Sequence, residues 1–276
     1  MIPDAAITHW SVGAPWPTRT QVEQDLLLSR LICEFANDSY LGEELIFRGG
    51  TCFHKLHISP ARRYSEDLDY VRSSAGGIKQ ITDAVQRIGS SLGFTTTTKV
   101  SAHPKIYVRT MSADGLPIRI KVEVNTRERS PAEPCIFLPY SVDSPWWVGG
   151  AQVKTFTTRE LVATKIRALY QRRKSRDVFD MWLALTQLGV TGEDLLAVFE
   201  PYHPAGLTAA IAIANLREKL TVADFHQDLD PFVTTPPDGY DLNAAAELVI
   251  DRVLSKLPDP PAHTTSAESD VVEADD

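Results

Sequence analysis

Hydrophobic and polar positions alternate with two different periods along this chain, and the changes of period outline its elements. Residues 1–17, broken by Pro3, Pro15 and Pro17, predict an irregular N-terminal arm. Val22, Leu26, Leu27, Ile32 and Phe35 then recur at helical spacing. The helix is expected to begin near Thr18 or Thr20, with Thr20 and Glu23 as a capping box, and to leave at Asn37-Asp38. Residues 44–48 form a short apolar run ended by Gly49-Gly50, a buried strand, and Thr51–His57 fits a short helix. A second strand is predicted over 67–71, with Leu68 and Tyr70 on the opposite face from Asp67 and Asp69.

Ile78, Ile81, Val85, Ile88 and Leu92 make one amphipathic helix between glycines. Strands follow at 94–100, 105–111 and 117–125. The last alternates Ile118, Ile120, Val122 and Val124 against Arg119, Lys121, Glu123 and Asn125. Residues 126–150 read as a loop, with one more strand at 153–156. From Thr157, whose spacing to Glu160 fits a second capping box, helices are expected over 157–173, 175–188, 192–200, 205–219 and 241–256. The predicted layout is an α/β unit over 18–156 with a mixed sheet, a helical unit over 157–257 and an acidic, disordered tail over 258–276.

Composition adds little until charge is mapped. The 276 residues are 43% hydrophobic and 23% charged, as in a water-soluble globular protein. No apolar run approaches the roughly 18 residues of a membrane span, and no secretory signal opens the chain. Three scattered cysteines, Cys33, Cys52 and Cys135, imply a reducing cytoplasm and thiols without a zinc or disulfide role. Of the net −8, six charges lie after Pro258, which leaves −2 for the body. Within it, Arg159, Lys165, Arg167, Arg172, Arg173, Lys174 and Arg176 face only Glu160, which suits either an RNA or polyphosphate partner or a solvated helix face.

The residues with chemistry cluster between Gly49 and Asp69. Gly49-Gly50-Thr51 opens a helix whose free backbone N–H groups favour anions. Two residues apart on a strand, Asp67 and Asp69 can reach the same hard metal ions, as metal-assisted phosphoryl transfer requires. Glu123 fits a third carboxylate, or else an ion pair with Lys121 or Arg119. Ser65 shares the face of the aspartates and suits a phosphate contact or a backbone bond. Lys165 borders an apolar stripe, either snorkelling or reaching a triphosphate. Asp177 and Asp180 stand near a helix start, where they complement the dipole. His54 and His57 have no third ligand at zinc spacing and read as packing or surface residues. Neither a P-loop nor a Gly-x-Ser-x-Gly elbow is present.

Gly49-Gly50-Thr51-Cys52 with Arg63-Tyr64-Ser65-Glu66-Asp67-Leu68-Asp69, then Lys165-Ile166-Arg167-Ala168-Leu169 and Arg176-Asp177-Val178-Phe179-Asp180, resembles the successive motifs of the AbiEii-type nucleotidyltransferases. That family includes the nucleotidyltransferase toxins of mycobacteria. The resemblance implies a DNA-polymerase-β-like nucleotidyltransferase fold and the toxin of a toxin–antitoxin or abortive-infection pair. It implies Mg²⁺ (or Mn²⁺) on Asp67 and Asp69 with Glu123 as third ligand and possible base. Gly49, Gly50, Thr51 and Ser65 would lie along the nucleoside triphosphate, supported by Lys165, with Asp180 near nucleotide or metal. Some members extend the 3′ end of tRNA and so stop translation, which makes tRNA the expected acceptor and Arg167, Arg172, Arg173 and Arg176 its expected contacts. A monomer silenced by a neighbouring antitoxin is expected, with phosphate on Ser65 as one means. Cys52 stands where relatives have alanine, and Glu123 where such enzymes often have aspartate. The rival readings are nucleotidylation of a protein or small molecule (AMPylation) and a non-catalytic binding module.

Overall fold

Local signals set most elements of the computed structural model, which describes residues 2–99, 104–126 and 131–258. The first departs from expectation. A helix, α1 (Asp4–Ser11), occupies the predicted irregular arm and buries Ala6 and Ile7. Pro3 does not prevent it, because at the N-cap its missing N–H is no loss. Helix α2 (Arg19–Asn37) is capped by Thr18, which exchanges side-chain and backbone bonds with Gln21. The Thr20–Glu23 box does not form, since Glu23 is buried and accepts from the Ala113 N–H instead.

A short helix α3 (Leu41–Glu44) leads into β1 (Leu45–Arg48), and α4 (Gly49–Cys52) continues as a π-helical turn to His57. Next come β2 (Asp67–Arg72), α5 (Lys79–Ser91), β3 (Thr95–Lys99), β4 (Lys105–Met111) and β5 (Pro117–Asn125). Most of the predicted loop at 126–150 is a hairpin of β6 (Ile136–Ser144) and β7 (Trp147–Thr155). Pro139 masks the strand in the sequence, yet it is tolerated because β6 is an edge strand that needs no second ladder.

Helices α6 (Thr158–Gln171), α7 (Arg176–Gln187), α8 (Gly192–Ala197), α9 (Ala209–Lys219), α10 (Ala223–Gln227) and α11 (Leu242–Arg252) follow, with α10 unforeseen. Thr157 caps α6 as expected, but Glu160 does not close the box. Its buried carboxylate accepts from the Ala132 N–H at 2.6 Å and the Tyr202 hydroxyl at 2.5 Å. The acidic stretch after Pro258, expected to be disordered, lies outside the described residues. Among the described residues no helix is long and apolar enough to cross a membrane, and the three cysteines are free thiols.

One mixed sheet of seven strands runs β3-β4-β5-β2-β1-β7-β6. β2 lies antiparallel to β1 and parallel to β5, so Asp67 pairs with Lys121 and Asp69 with Glu123. Leu68, Tyr70, Ile120, Val122 and Val124 are buried on one face. Because side chains alternate, the opposite face of the same strands presents the carboxylates.

Candidate active site

Close packing, more than freedom of motion, explains the glycine pair. Gly49 has φ +82°, and a Cβ there would collide with Asp69 Oδ2. A Cβ on Gly50 would strike the Arg63 guanidinium and crowd Ser65 Oγ at 3.2 Å. The turn is thus pressed against the strand that carries the aspartates. Thr51 is buried beneath it. Its hydroxyl donates to the Asp67 carbonyl and lies 2.8 Å from Ser65 Oγ, which ties the start of β2 to α4.

Asp67 and Asp69 share the exposed face of β2, each partly buried. Burial and the neighbouring Asp69 charge push the Asp67 carboxyl up to about 6, against the pull of Lys121. Lys121 Nζ stands 3.1 Å from Asp67 Oδ2 and 3.1 Å from Glu123 Oε2. Burial opposes its charge, but Asp67, Glu123 and Asp69 together hold its pKa above the usual lysine range.

Among the described residues no three His, Cys, Asp or Glu side chains gather where they could hold one metal ion. Within the expected trio, the Lys121 ammonium contacts both Asp67 and Glu123. The two aspartates fit a divalent cation: hard oxygen donors on one face of one strand, in a partly buried setting.

Behind the glycines lies a buried ion network. Asp180, fully buried, accepts from Arg63 Nε and Nη2 at 2.8 Å each and lies 3.0 Å from His54 Nε2. Lys165, 4% exposed, places its ammonium 2.8 Å from Asp180 Oδ2 and 3.2 Å from Asp177 Oδ1. Asp177 also receives both prongs of Arg172, at 2.7 and 2.8 Å. Despite burial, Arg63 and Lys165 hold Asp180 well below the carboxylate range, and Arg172 and Lys165 bring Asp177 to about 2. Burial, with Arg63 nearby, lowers His54 to about 4, so it sits neutral beside Asp180.

The other basic candidates differ in their surroundings. Arg167 lies over the Tyr202 ring, 5.9 Å from its centroid, and Arg176 over Phe232 at 4.4 Å, with Asp228 behind. Arg173 is exposed just past α6. Arg172 is committed to Asp177, though Asp69 also contributes to its raised pKa and so lies within its field. The ion pair of Glu123 with Lys121, one of the two expectations for Glu123, is present. The role of Arg63 could not be read from the sequence, because its partner lies 117 residues further on.

A mixed sheet with a glycine turn pressed against paired strand aspartates defines the nucleotidyltransferase class of fold. The family described as "Nucleotidyl transferase AbiEii toxin, Type IV TA system" matches residues 30–252, and this chain belongs to it. The fold is also that of MenT4, a nucleotidyltransferase toxin from Mycobacterium tuberculosis. That structure is 16% identical, aligns over 90% of this chain and 99% of its own, and has a TM-score of 0.51. An antigenic nucleotidyltransferase-like protein from Paracoccidioides brasiliensis aligns over 77% of this chain and 94% of its own, at 18% identity and a TM-score of 0.44. A search of curated proteins finds no match. Family membership makes the chain a nucleotidyltransferase toxin of a toxin–antitoxin pair, with a nucleoside triphosphate as substrate and a cognate antitoxin as partner.

Proposed function

We propose that the protein transfers a nucleoside monophosphate from an NTP to the 3′-terminal hydroxyl of tRNA, with Mg²⁺ (or Mn²⁺) on Asp67 and Asp69, and so blocks translation. The observation that carries this reading is the close approach of the Gly49 backbone to Asp69, which puts a glycine turn beside a carboxylate pair. The acceptor oxygen forms a bond to the α-phosphorus as the bond to the β-phosphate oxygen breaks and pyrophosphate leaves. A divalent ion bound there supplies charge neutralisation on the phosphates. Gly49, Gly50, Thr51 and Ser65 line the triphosphate. Lys165 and Asp180 act from behind: with Arg63 they fix the turn and keep a positive field under the phosphates. Glu123 holds Lys121 in place.

The protein works as a monomer in the cytoplasm, its α/β unit (18–156) and helical unit (157–257) forming the two walls of the site. Ser65, half-buried and accepting from the Thr51 hydroxyl, is the point at which an antitoxin silences it. A phosphate there adds about −1.5 to −2 charges next to Asp67 and repels the triphosphate. Mass spectrometry of co-expressed, inactive protein should find the modification; unmodified Ser65 in that sample rejects this mode of control.

Total tRNA and cell extract incubated with each α-labelled NTP should yield label that ribonuclease removes and protease does not. Asp67→Asn should abolish it. Protease-sensitive label would instead make a protein the acceptor, and full labelling by Asp67→Asn would remove the aspartates from the reaction.

A further inference from the structure

On the polar face of the sheet, side chains form a regular grid that ends at the aspartates. Asp67, Lys121, Tyr107 and Thr97 are register partners across β2, β5, β4 and β3. Asp69, Glu123, Lys105 and Lys99 make the row on one side, and Arg119, Arg109 and Thr95 the row on the other. Alternation puts all three rows opposite the buried Ile106, Val108, Ile120 and Val122. The grid is rich in cations, and Tyr107 lies at its centre. The Arg119 guanidinium is 5.3 Å from the Tyr107 ring centroid and that of Arg109 is 5.6 Å away. Arg109 Nη1 donates to Thr97 Oγ1 at 2.9 Å, which fixes it on this face.

Arg109 and Arg119 are direct cross-strand partners, both exposed. Like charges in that position repel. Among the described residues neither has a carboxylate within ion-pair distance. An anion laid between them relieves this repulsion, and a planar base can stack on the aromatic ring and the guanidinium planes. Of the arginines after Lys165, Arg172 and Arg176 are already engaged by Asp177, Asp228 and Phe232, and Arg173 has no aromatic ring beside it among the contacts of the described residues.

We propose that this β3–β5 face binds the single-stranded acceptor end of RNA, with a base stacked at Tyr107 and phosphates at Arg109 and Arg119, so that the strand runs toward Asp67. The inference rests on the RNA-acceptor reading and adds where the acceptor lies. Open sheet faces bearing aromatic and basic residues recognise single strands in this manner, through stacking and backbone charge.

The test is fluorescence anisotropy of the full chain, without NTP, using a labelled RNA hairpin with a four-nucleotide 3′ overhang and a blunt hairpin for comparison. Wild type should prefer the overhang. The Arg109→Glu/Arg119→Glu double variant should weaken binding. Its slope of log affinity against log salt should be shallower by about 1.4, two contacts at about 0.7 each. Tyr107→Ala should weaken binding at least roughly fivefold and Tyr107→Phe should restore it, because stacking needs the ring and not the hydroxyl. Both arginines are exposed, so the variants should melt at the wild-type temperature, which thermal melts check. Unchanged binding by the sheet variants, with loss in Arg173→Glu, would overturn the proposal while leaving the RNA acceptor intact. Preference for the blunt hairpin would also overturn it. Protease-sensitive labelling in the transfer assay would remove the RNA acceptor itself, and this surface with it.

Discussion

Arg63 and Asp180 meet fully buried through a two-pronged ion pair, Nε to Oδ1 and Nη2 to Oδ2, both 2.8 Å. The pair joins the segment before β2 to α7 across 117 residues. Lys165 and His54 complete the shell of Asp180, and Arg63 in turn touches the space above Gly50. The helical half of the chain thereby bears on the position of the glycine turn.

Replacing Asp180 tests that coupling. Asp180→Asn keeps the shape but leaves Arg63 buried without a countercharge and Lys165 with Asp177 alone. Breaking a buried pair from one side costs about 3–5 kcal/mol. Urea denaturation should show a loss of that size, together with reduced NTP affinity in whatever variant remains folded. A loss below about 1 kcal/mol would mean that the network does not hold the two halves together.

Gly49→Ala should act locally. The φ of +82° costs an L-residue about 1–2 kcal/mol, and the new methyl must displace the Asp69 carboxylate. Transfer activity should fall at least tenfold, with a melting temperature only a few degrees lower. Gly50→Ala has no backbone strain, but its methyl strikes the Arg63 Nη2 that Asp180 holds, so it should lower stability through that buried pair. Equal activity in Gly49→Ala and wild type would separate Asp69 from the reaction.

What the sequence disclosed and what it hid follow from the range of the forces involved. Amphipathic period and capping chemistry are local, so α2, α5, β5 and α6 could be read to within a few residues. Asp67 and Asp69 share a face because strand geometry requires it. The β6–β7 hairpin was hidden because Pro139 and Gly149-Gly150 weaken the local signal, while its stability comes from packing on α2 and β1. Glu23 and Glu160 looked like capping residues, but their carboxylates serve partners that tertiary contacts bring in. Lys165 and Asp180 stood out as polar residues of interest. Only the fold shows that they face each other and Arg63 in the interior.

Acid should weaken the fold first through histidine. His54 titrates at about 4 in the folded protein against 6.5 as an ordinary histidine. Between those values the unfolded chain takes up a proton that the folded chain refuses, so stability falls as pH drops from 6.5 towards 4. The buried His54 accounts for about 3 kcal/mol of that loss. His57, lowered to about 4 by burial, acts in the same direction. Asp177 and Asp180, both depressed, lose their contribution only below the normal aspartate range. Urea titrations at pH 7 and pH 4.5 should show this drop in wild type and a smaller one in His54→Gln. Equal drops in both would place the proton elsewhere.

Lys121 should limit how many cations the site accepts. Its ammonium already neutralises Asp67 from one side and holds Glu123 from the other. A divalent ion on Asp67 and Asp69 leaves no uncompensated third carboxylate for another. Calorimetry of the full chain with Mn²⁺ should therefore give one site per molecule. In Lys121→Met, Asp67 and Glu123 lose their shared cation, and a second Mn²⁺ should bind, weakly. Each of these lysine contacts is partly exposed and worth at most about 1 kcal/mol, so the variant should fold. Two sites already present in wild type would show that Lys121 swings aside for the metal and that Glu123 is a ligand after all. One site in both proteins would show that Asp67 and Glu123 stand too far apart to share an ion, whatever lies between them.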